Sequence, residues 1–250
     1  GVAASPAGAG DRPALWISQF IPSMLRWRAG GMLVHLSRDL SRAGCSSIHV
    51  RLRLAELSLP AAATNMSACF AADGCTLYFR VPSWAEPASS SIALNGKPVL
   101  GGSGKVRVGH FFRLQRQWAP GDEIFASLGL YTYLEPLNDW RPRFADTYAL
   151  LYGPYMLVGL TQREEHTLVA APQDVRHWTN VSACSSSDPA AASASWSLLR
   201  LEARGTDGRG LTLMPLSEAV EQRYTAYFEL APGAPKPATV QGPSGFAFGA

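Results

Sequence analysis

The sequence lacks the features that would place it in several protein classes. No run of about 18 apolar residues occurs, so no transmembrane helix is expected. Only 16% of the residues are charged, and the 22 lysines and arginines are spread thinly among 19 acidic residues, without a basic stripe. The motifs G-x-S-x-G and the phosphate-binding P-loop are also missing. We therefore expect neither a membrane span nor a nucleic-acid partner.

Cysteine is scarce, and its spacing argues against a metal site. Cys45, Cys69, Cys75 and Cys184 form no C-x-x-C pair, and no histidine is placed so as to suggest a zinc site with them. A zinc site needs three or four convergent ligands, so none is predicted here. Cys69 and Cys75 flank a turn-forming segment, and a disulfide between them is geometrically feasible in an oxidising compartment. Two half-buried free thiols are the alternative.

Alternation of apolar and polar side chains is the main pattern that the chain does have. Residues 76–81 alternate and stop at Pro82, because proline cannot donate to a ladder. Residues 91–100 run through Asn95-Gly96, which is the strongest short-range signal for a hairpin. Further alternating segments are 106–108, 111–114 and 123–128. These short strands, with turns between them, predict an antiparallel sandwich.

Similar segments extend in both directions and define the expected organisation. They include residues 15–21, 32–36, 48–54, 147–152, 155–160, 196–201, 211–216 and 224–230. We predict an all-β fold of two antiparallel β-sandwich units, residues 15–130 and 131–230, with almost no helix. Residues 1–14 are expected to be disordered, residues 183–195 a low-complexity insertion and residues 231–250 a tail.

Charged residues gather in the segment that connects the two units. Glu135, Asp139 and Asp146 are candidate carboxylates for glycoside hydrolysis, which normally uses two carboxylates about 5 to 10 Å apart. Arg141 and Arg143 among them favour a structural interpretation instead. We predict that Arg141 pairs with Asp139 or Asp146 and fixes this crossover. No catalytic residue is assigned, and no substrate-binding residue is identified.

Two further observations concern the compartment and the extent of the chain. Asn65-Met66-Ser67 and Asn180-Val181-Ser182 fit the N-glycosylation pattern, which makes Asn65 and Asn180 candidate acceptors and favours the secretory pathway. The sequence begins with Gly1 rather than with methionine or a signal peptide. We therefore expect it to be a piece of a longer polypeptide.

Several motifs together resemble glycoside hydrolase family 127, which includes the β-L-arabinofuranosidases. Residues 79–84 read Phe-Arg-Val-Pro-Ser-Trp, residues 94–96 read Leu-Asn-Gly, and residues 116–122 read Arg-Gln-Trp-Ala-Pro-Gly-Asp. Their order and spacing resemble the family's R-[IV]-P-[ST]-W, N-G and W-x-x-G-D progression. Asp139-Trp140-Arg141-Pro142, with residues 152–160, is similar to the crossover of the plant-type branch. The resemblance covers residues 15–230.

The resemblance implies that the catalytic part lies elsewhere in the polypeptide. Family members place an (α/α)6 barrel before such sandwiches, and that barrel holds the catalytic cysteine, the zinc and the acid/base glutamate. No cysteine here matches the family's double-cysteine motif, so no catalytic or metal residue is transferred. The expected role is a non-catalytic portion that supports the barrel, inactive alone and without its own cofactor. An arabinose-containing glycan is a further expected partner.

Two alternative interpretations stay open at this point. The first is an independent carbohydrate-binding or interaction module, in which exposed tryptophans such as Trp140 or Trp178 stack on sugar rings. The second is a structural domain without a ligand. Trp84 and Trp118, by contrast, are predicted to be core or sheet-edge anchors, because a proline or a Gly-Asp turn ties each of them to a strand end.

Overall fold

The computed structural model describes residues 2–5, 13–38, 45–57, 68–100, 106–161, 167–183 and 199–232. Nineteen β-strands lie in these ranges, and the one α-helix within them has four residues. The chain is therefore all-β, as the alternation predicts. None of the helices in these ranges is long and apolar enough to cross a membrane. The Asn65 sequon, Cys184, residues 184–195 and residues 233–250 lie outside the described residues.

The first unit, residues 2–129, contains two sheets. The four-stranded sheet consists of β1 (Val2–Ser5), β2 (Ala14–Ile17), β6 (Cys75–Arg80) and β9 (Phe111–Arg116), in the order β1-β2-β6-β9. The six-stranded sheet consists of β3 (Ser23–Trp27), β4 (Met32–Arg38), β5 (Ser47–Glu56), β7 (Glu86–Leu94), β8 (Lys97–Leu100) and β10 (Glu123–Gly129). Its strand order is β3-β4-β5-β10-β7-β8.

Side chains of both sheets share one apolar core. Leu15 and Ile17 of β2 are fully buried, whereas Trp16 between them lies on the other face and stacks on Tyr78, with ring centroids 4.8 Å apart. This follows from the period-two geometry of a strand. Members of the core from both sheets include Leu77, Phe79, Val34, Val50, Leu52 and Ile124. Burial of this set is the main favourable term in the stability of the unit.

Two features of the first unit differ from the sequence-based prediction. Val2–Ser5, within the segment expected to be disordered, form β1 and pair with β2. β2 pairs with β6 in parallel, with Ala14 opposite Thr76, although most other pairs in the chain are antiparallel as predicted. Alternation reports which face a side chain occupies and carries no information about strand direction. Alternation therefore could not predict that β2 and β6 are parallel.

The second unit, residues 132–231, is a single nine-stranded sheet. Its strands are β11 (Thr132–Pro136), β12 (Thr147–Tyr152), β13 (Tyr155–Leu160), β14 (Thr167–Val169), β15 (Thr179–Ala183), β16 (Arg200–Arg204), β17 (Gly210–Pro215), β18 (Tyr224–Thr225) and β19 (Tyr227–Ala231). The order is β14-β19-β12-β13-β17-β16-β15, with β11 paired to β12 and β18 to β13. The helix α1 (Val175–Trp178) precedes β15, and β14 and β19 are parallel.

The hairpin between β7 and β8 turns at Asn95-Gly96, where both residues have positive φ. Asn95 Oδ1 accepts a 2.8 Å hydrogen bond from Glu123 N, and Asn95 Nδ2 donates to Asp122 Oδ1 at 2.7 Å. Asp122 Oδ2 accepts from Ala119 N at 2.9 Å. Asp122 is only 6% exposed. One buried carboxylate thus joins the hairpin to the turn before β10.

Asp122→Ala is expected to lower the free energy of unfolding by about 1.5 to 3 kcal/mol, because two donors would lose an ionised acceptor at a buried position. Urea unfolding of the two proteins measures this difference. Asp73→Ala is the matched control, since Asp73 is exposed in the turn before β6, and it should change stability by less than about 0.5 kcal/mol. Equal losses in the two variants would contradict a special role for Asp122.

Candidate functional site

The crossover loop, residues 137–146, connects β11 to β12 and contains the charged residues singled out from the sequence. Leu137 N donates to Thr147 O at 2.8 Å, which closes the loop at its base. Pro142 begins a 3-10 turn that ends at Phe144, and Phe144 N donates to Arg141 O at 3.0 Å. Proline suits this first position because its fixed φ is already helical and its missing N–H has no partner to lose. The loop is therefore held by its own backbone.

Asp139 and Arg141 form a bidentate ion pair within this loop. Arg141 Nε donates to Asp139 Oδ1 at 2.9 Å, and Arg141 Nη2 donates to Asp139 Oδ2 at 2.5 Å. The backbone N of Arg141 also donates to Oδ1, at 2.9 Å. These hydrogen bonds from Arg141 lower the pKa of Asp139 to about 2 and raise the pKa of Arg141. The carboxylate is thus held ionised and fixed in one orientation.

Arg141→Gln is expected to raise the pKa of Asp139 from about 2 toward the ordinary aspartate range, because the charged hydrogen bonds disappear. A depressed pKa stabilises the folded state above the unfolded-state value of about 4, and that contribution is lost as the pH falls through 2. An NMR titration of the Asp139 carboxyl carbon measures the change. Arg143→Gln, which removes only a more distant charge, should shift the pKa less. An unchanged titration in Arg141→Gln would contradict the pairing.

The other two carboxylates of the segment do not join this pair. Glu135 and Asp146 have exposed side chains, and neither forms an ion pair with a described residue. Asp146 contributes through its backbone, since its carbonyl accepts from Leu230 N at 2.9 Å. Of the two aspartates predicted as partners of Arg141, the structure brings Asp139 alone into contact with it.

Aromatic and cationic side chains surround the ion pair. The guanidinium groups of Arg141 and Arg143 each lie 4.6 Å from the centroid of the Phe144 ring. Such cation–π contacts limit the positions that the two arginines sample. Trp140, between Asp139 and Arg141, is 90% exposed and contacts none of them through a hydrogen bond. An ordered loop therefore presents an indole to solvent.

Trp178 does not share this exposure, which corrects the grouping of Trp140 and Trp178 as exposed sugar platforms. Trp178 is 8% exposed, and its Nε1 donates to Ala171 O at 3.1 Å. Val175 is buried one turn earlier on the same face of α1, so this face packs inward. Asn180, the described glycosylation candidate, is exposed on the edge strand β15.

The described cysteines are all oxidised. Cys69 and Cys75 form a disulfide across a turn, and Cys45 is also disulfide-bonded. In the part of the chain that the structure describes, no three His, Cys, Asp or Glu side chains gather closely enough to hold a metal ion. Disulfide sulfur is neither a nucleophile nor a zinc ligand, because both roles need a thiolate. The residues described here do not fit a zinc site.

Sequence reasoning missed several contacts at the junction of the two units. Arg176 Nη2 of α1 lies 3.0 Å from Glu86 Oε2 of β7, in an ion pair that is not aligned as a hydrogen bond. The Arg176 guanidinium also lies 4.2 Å from the centroid of the Tyr131 ring, and burial raises the pKa of Tyr131. Arg38 Nη2 donates to Tyr155 OH at 3.0 Å. Residues so far apart in the chain carry no local signal of their contact.

Residues 14–130, which include the strand before Pro82, the Asn95-Gly96 hairpin and the turn at Asp122, match the family described as β-L-arabinofuranosidase, GH127 middle domain. Residues 14–130 are thus similar to a GH127 middle domain. The match is independent of the three-dimensional structure and agrees with the resemblance seen in the motifs.

Solved structures extend the comparison to the second unit at the level of fold. One is described as a glycoside hydrolase and covers 87% of this chain, with a TM-score of 0.56 and 14% identity. A GH127 β-L-arabinofuranosidase from Geobacillus stearothermophilus T6 has a TM-score of 0.51 and 14% identity, and a GH127 β-arabinofuranosidase has 0.52 and 13%, each over 87% of this chain. The chain spans 34% to 36% of the length of these structures. No curated protein gave a match.

The motif residues within residues 14–130 serve the structure of that segment. Trp118 is buried, its backbone N donates to Cys69 O at 2.9 Å, and its Nε1 donates to Cys75 O at 3.2 Å. Asp122 joins two turns, as described above. Trp84 is half-buried against the core. The crossover loop lies beyond the residues that match the middle domain, so it is a feature of the second unit.

Proposed function

We propose that this chain is the non-catalytic β-sandwich portion of a β-L-arabinofuranosidase-like glycoside hydrolase and that it supports a catalytic barrel in the same polypeptide. The match of residues 14–130 to the GH127 middle domain carries the proposal, because a middle domain implies other domains beside it. The oxidised state of Cys45, Cys69 and Cys75 supports a non-catalytic role, since none of them is available as a thiolate. Zinc and the reacting residues would then belong to the barrel.

The contacts between the two units support a role as one scaffold. Tyr152 OH of β12 donates to Cys45 O at 2.5 Å, and Arg38 donates to Tyr155 OH. The ion pair between Glu86 and Arg176 adds a third contact. Two units joined by such contacts give a neighbouring barrel a surface against which to pack. Disulfides also favour a secreted protein, because they persist in oxidising compartments.

The 250-residue chain alone is expected to show no turnover of an aryl β-L-arabinofuranoside with added zinc, and to bind less than one zinc per chain. The physical reason is the absence of a thiolate and of three convergent ligands among the described residues. Kinetic assay and metal analysis of the purified chain test both points. Turnover that is lost in Cys69→Ser or Cys75→Ser, together with stoichiometric zinc, would place the chemistry in this chain and overturn the proposal.

The supporting role is tested in a polypeptide that carries both the barrel and this chain. Asp122→Ala should lower its melting temperature while kcat/KM at low temperature stays unchanged, because only the scaffold is weakened. A fall of kcat/KM at every temperature, in a protein that remains folded, would instead indicate a direct part in catalysis.

A further inference from the structure

The crossover loop combines an exposed aromatic ring with a fixed backbone. Trp140 is 90% exposed, while its neighbours Asp139 and Arg141 are locked together by two side-chain hydrogen bonds and one backbone hydrogen bond. A large apolar ring in water gains nothing for folding. The bonds on either side nevertheless limit the positions of the backbone that carries it. The loop backbone is therefore already ordered before a ligand binds. A ligand that stacks on the ring would cause little further loss of conformational entropy in the loop.

We propose that the crossover loop binds a neutral sugar residue, which stacks on the indole of Trp140. The apolar C–H face of a sugar ring matches one face of an indole in size, and its hydroxyl groups match planar donors nearby. Arg143 of the same loop supplies such donors, because its guanidinium lies 4.6 Å from the centroid of the Phe144 ring and forms no hydrogen bond with a described residue. This binding site does not depend on the proposed supporting role.

The charges of the loop indicate that the ligand is neutral. Residues 137–146 contain two aspartates and two arginines, so the formal charge of the loop is zero. Asp139 and Arg141 neutralise each other within their ion pair. A loop of this composition has no net field to attract an acidic peptide, a phosphate or a polyanion. A saccharide without charged groups needs no such field.

The size of the apolar surface favours a sugar over a protein partner. Trp140 is the only large apolar side chain of residues 137–146 that is prominently exposed, and polar or charged residues flank it on both sides. A stable protein interface buries about 800 Å² on each partner around an apolar centre, which one indole does not provide. A single sugar ring covers one face of an indole, and its hydroxyl groups can then contact the polar and charged residues that flank Trp140.

The test titrates the full chain with neutral oligosaccharides while tryptophan fluorescence and heat of binding are recorded. The probes are an arabinan-derived oligosaccharide, xylohexaose and cellohexaose, with oligogalacturonate as the anionic comparison. At least one neutral probe should bind, and Trp140→Ala should weaken it by about tenfold or more, whereas Trp140→Phe should retain most of the affinity. Val220→Ala is the matched control, because Val220 is 84% exposed outside the loop, and it should leave binding unchanged.

Three results would overturn the proposal. One is that no neutral probe binds at millimolar concentration. Another is that Trp140→Ala binds the neutral probes as well as the native chain does. The third is that sedimentation shows a dimer of the native chain that Trp140→Ala converts to a monomer, with no saccharide bound, which would assign the indole to a contact between copies of the chain. Failure of every saccharide probe would leave the proposed supporting role untouched, because that role needs no sugar on Trp140.

Discussion

Trp118→Ala is expected to lower the free energy of unfolding by about 3 to 5 kcal/mol, the cost of removing a large buried aromatic ring. Trp118 is 2% exposed and lies beside the disulfide turn, where its Nε1 donates to Cys75 O and its backbone N to Cys69 O. The alanine variant leaves a cavity and also deprives the Cys75 carbonyl of its side-chain donor. Guanidinium unfolding, followed by circular dichroism, measures the loss.

Two other tryptophan variants separate the cavity from the hydrogen bond. Trp118→Phe keeps most of the ring volume and loses the indole N–H, so it should cost less, about 1 to 3 kcal/mol. Trp140→Ala removes an exposed ring and should change stability by less than about 0.5 kcal/mol. If Trp118→Ala and Trp140→Ala were equally stable, Trp118 would not be the anchor that the structure describes.

Gly74→Ala is expected to lower the free energy of unfolding by at least about 3 kcal/mol. The alanine would have to adopt a left-handed backbone conformation, and its Cβ would also overlap a neighbouring atom. Gly74 has a φ of 60°, and a Cβ atom added there would overlap the backbone carbonyl of Arg116. Backbone atoms cannot rotate away as a flexible side chain can. Gly74 also precedes Cys75, so any displacement would pull on the disulfide turn. Thermal unfolding at fixed pH measures the effect.

Gly121→Ala is the control that separates the two causes. Gly121 also has a positive φ, 92°, but an added Cβ would meet no atom within 4 Å. Only the left-handed backbone conformation then opposes the alanine, so the free energy of unfolding should fall by about 1 to 2 kcal/mol. Similar losses in the two variants would show that the contact with Arg116 is absorbed without strain.

Local chemistry explains what the sequence predicted correctly. The Asn95-Gly96 turn has a backbone that few other residue pairs adopt, so it identified its hairpin without knowledge of the rest of the chain. The prediction that Trp118 is an anchor rested on the Gly-Asp turn beside it, and the ring is buried in the structure. The pairing of Arg141 was predicted for a loop of opposite charges, but the choice of Asp139 over Asp146 depended on loop geometry.

Long-range arrangement explains what the sequence did not provide. Trp178 was grouped with Trp140 as an exposed tryptophan, yet α1 turns Trp178 inward beside Val175. The contact of Glu86 with Arg176 joins residues of different units that are far apart in the chain, so no local pattern predicts it. The strands of the second unit form a single sheet because of the order in which they pair. Alternation identifies strands but does not say which strands are neighbours.

The parallel pairing of β2 with β6 has a consequence for how the chain is synthesised. β2 emerges from the ribosome long before its partner, because Ala14 pairs with Thr76, and β6 in turn needs β9, which ends at Arg116. β3, β4 and β5 form successive antiparallel pairs in the meantime. A nascent chain that stops short of Arg116 leaves an edge of β6 without its ladder partner, and such an edge is a template for aggregation. Truncated versions of the domain are therefore best ended beyond β10, where both sheets are complete.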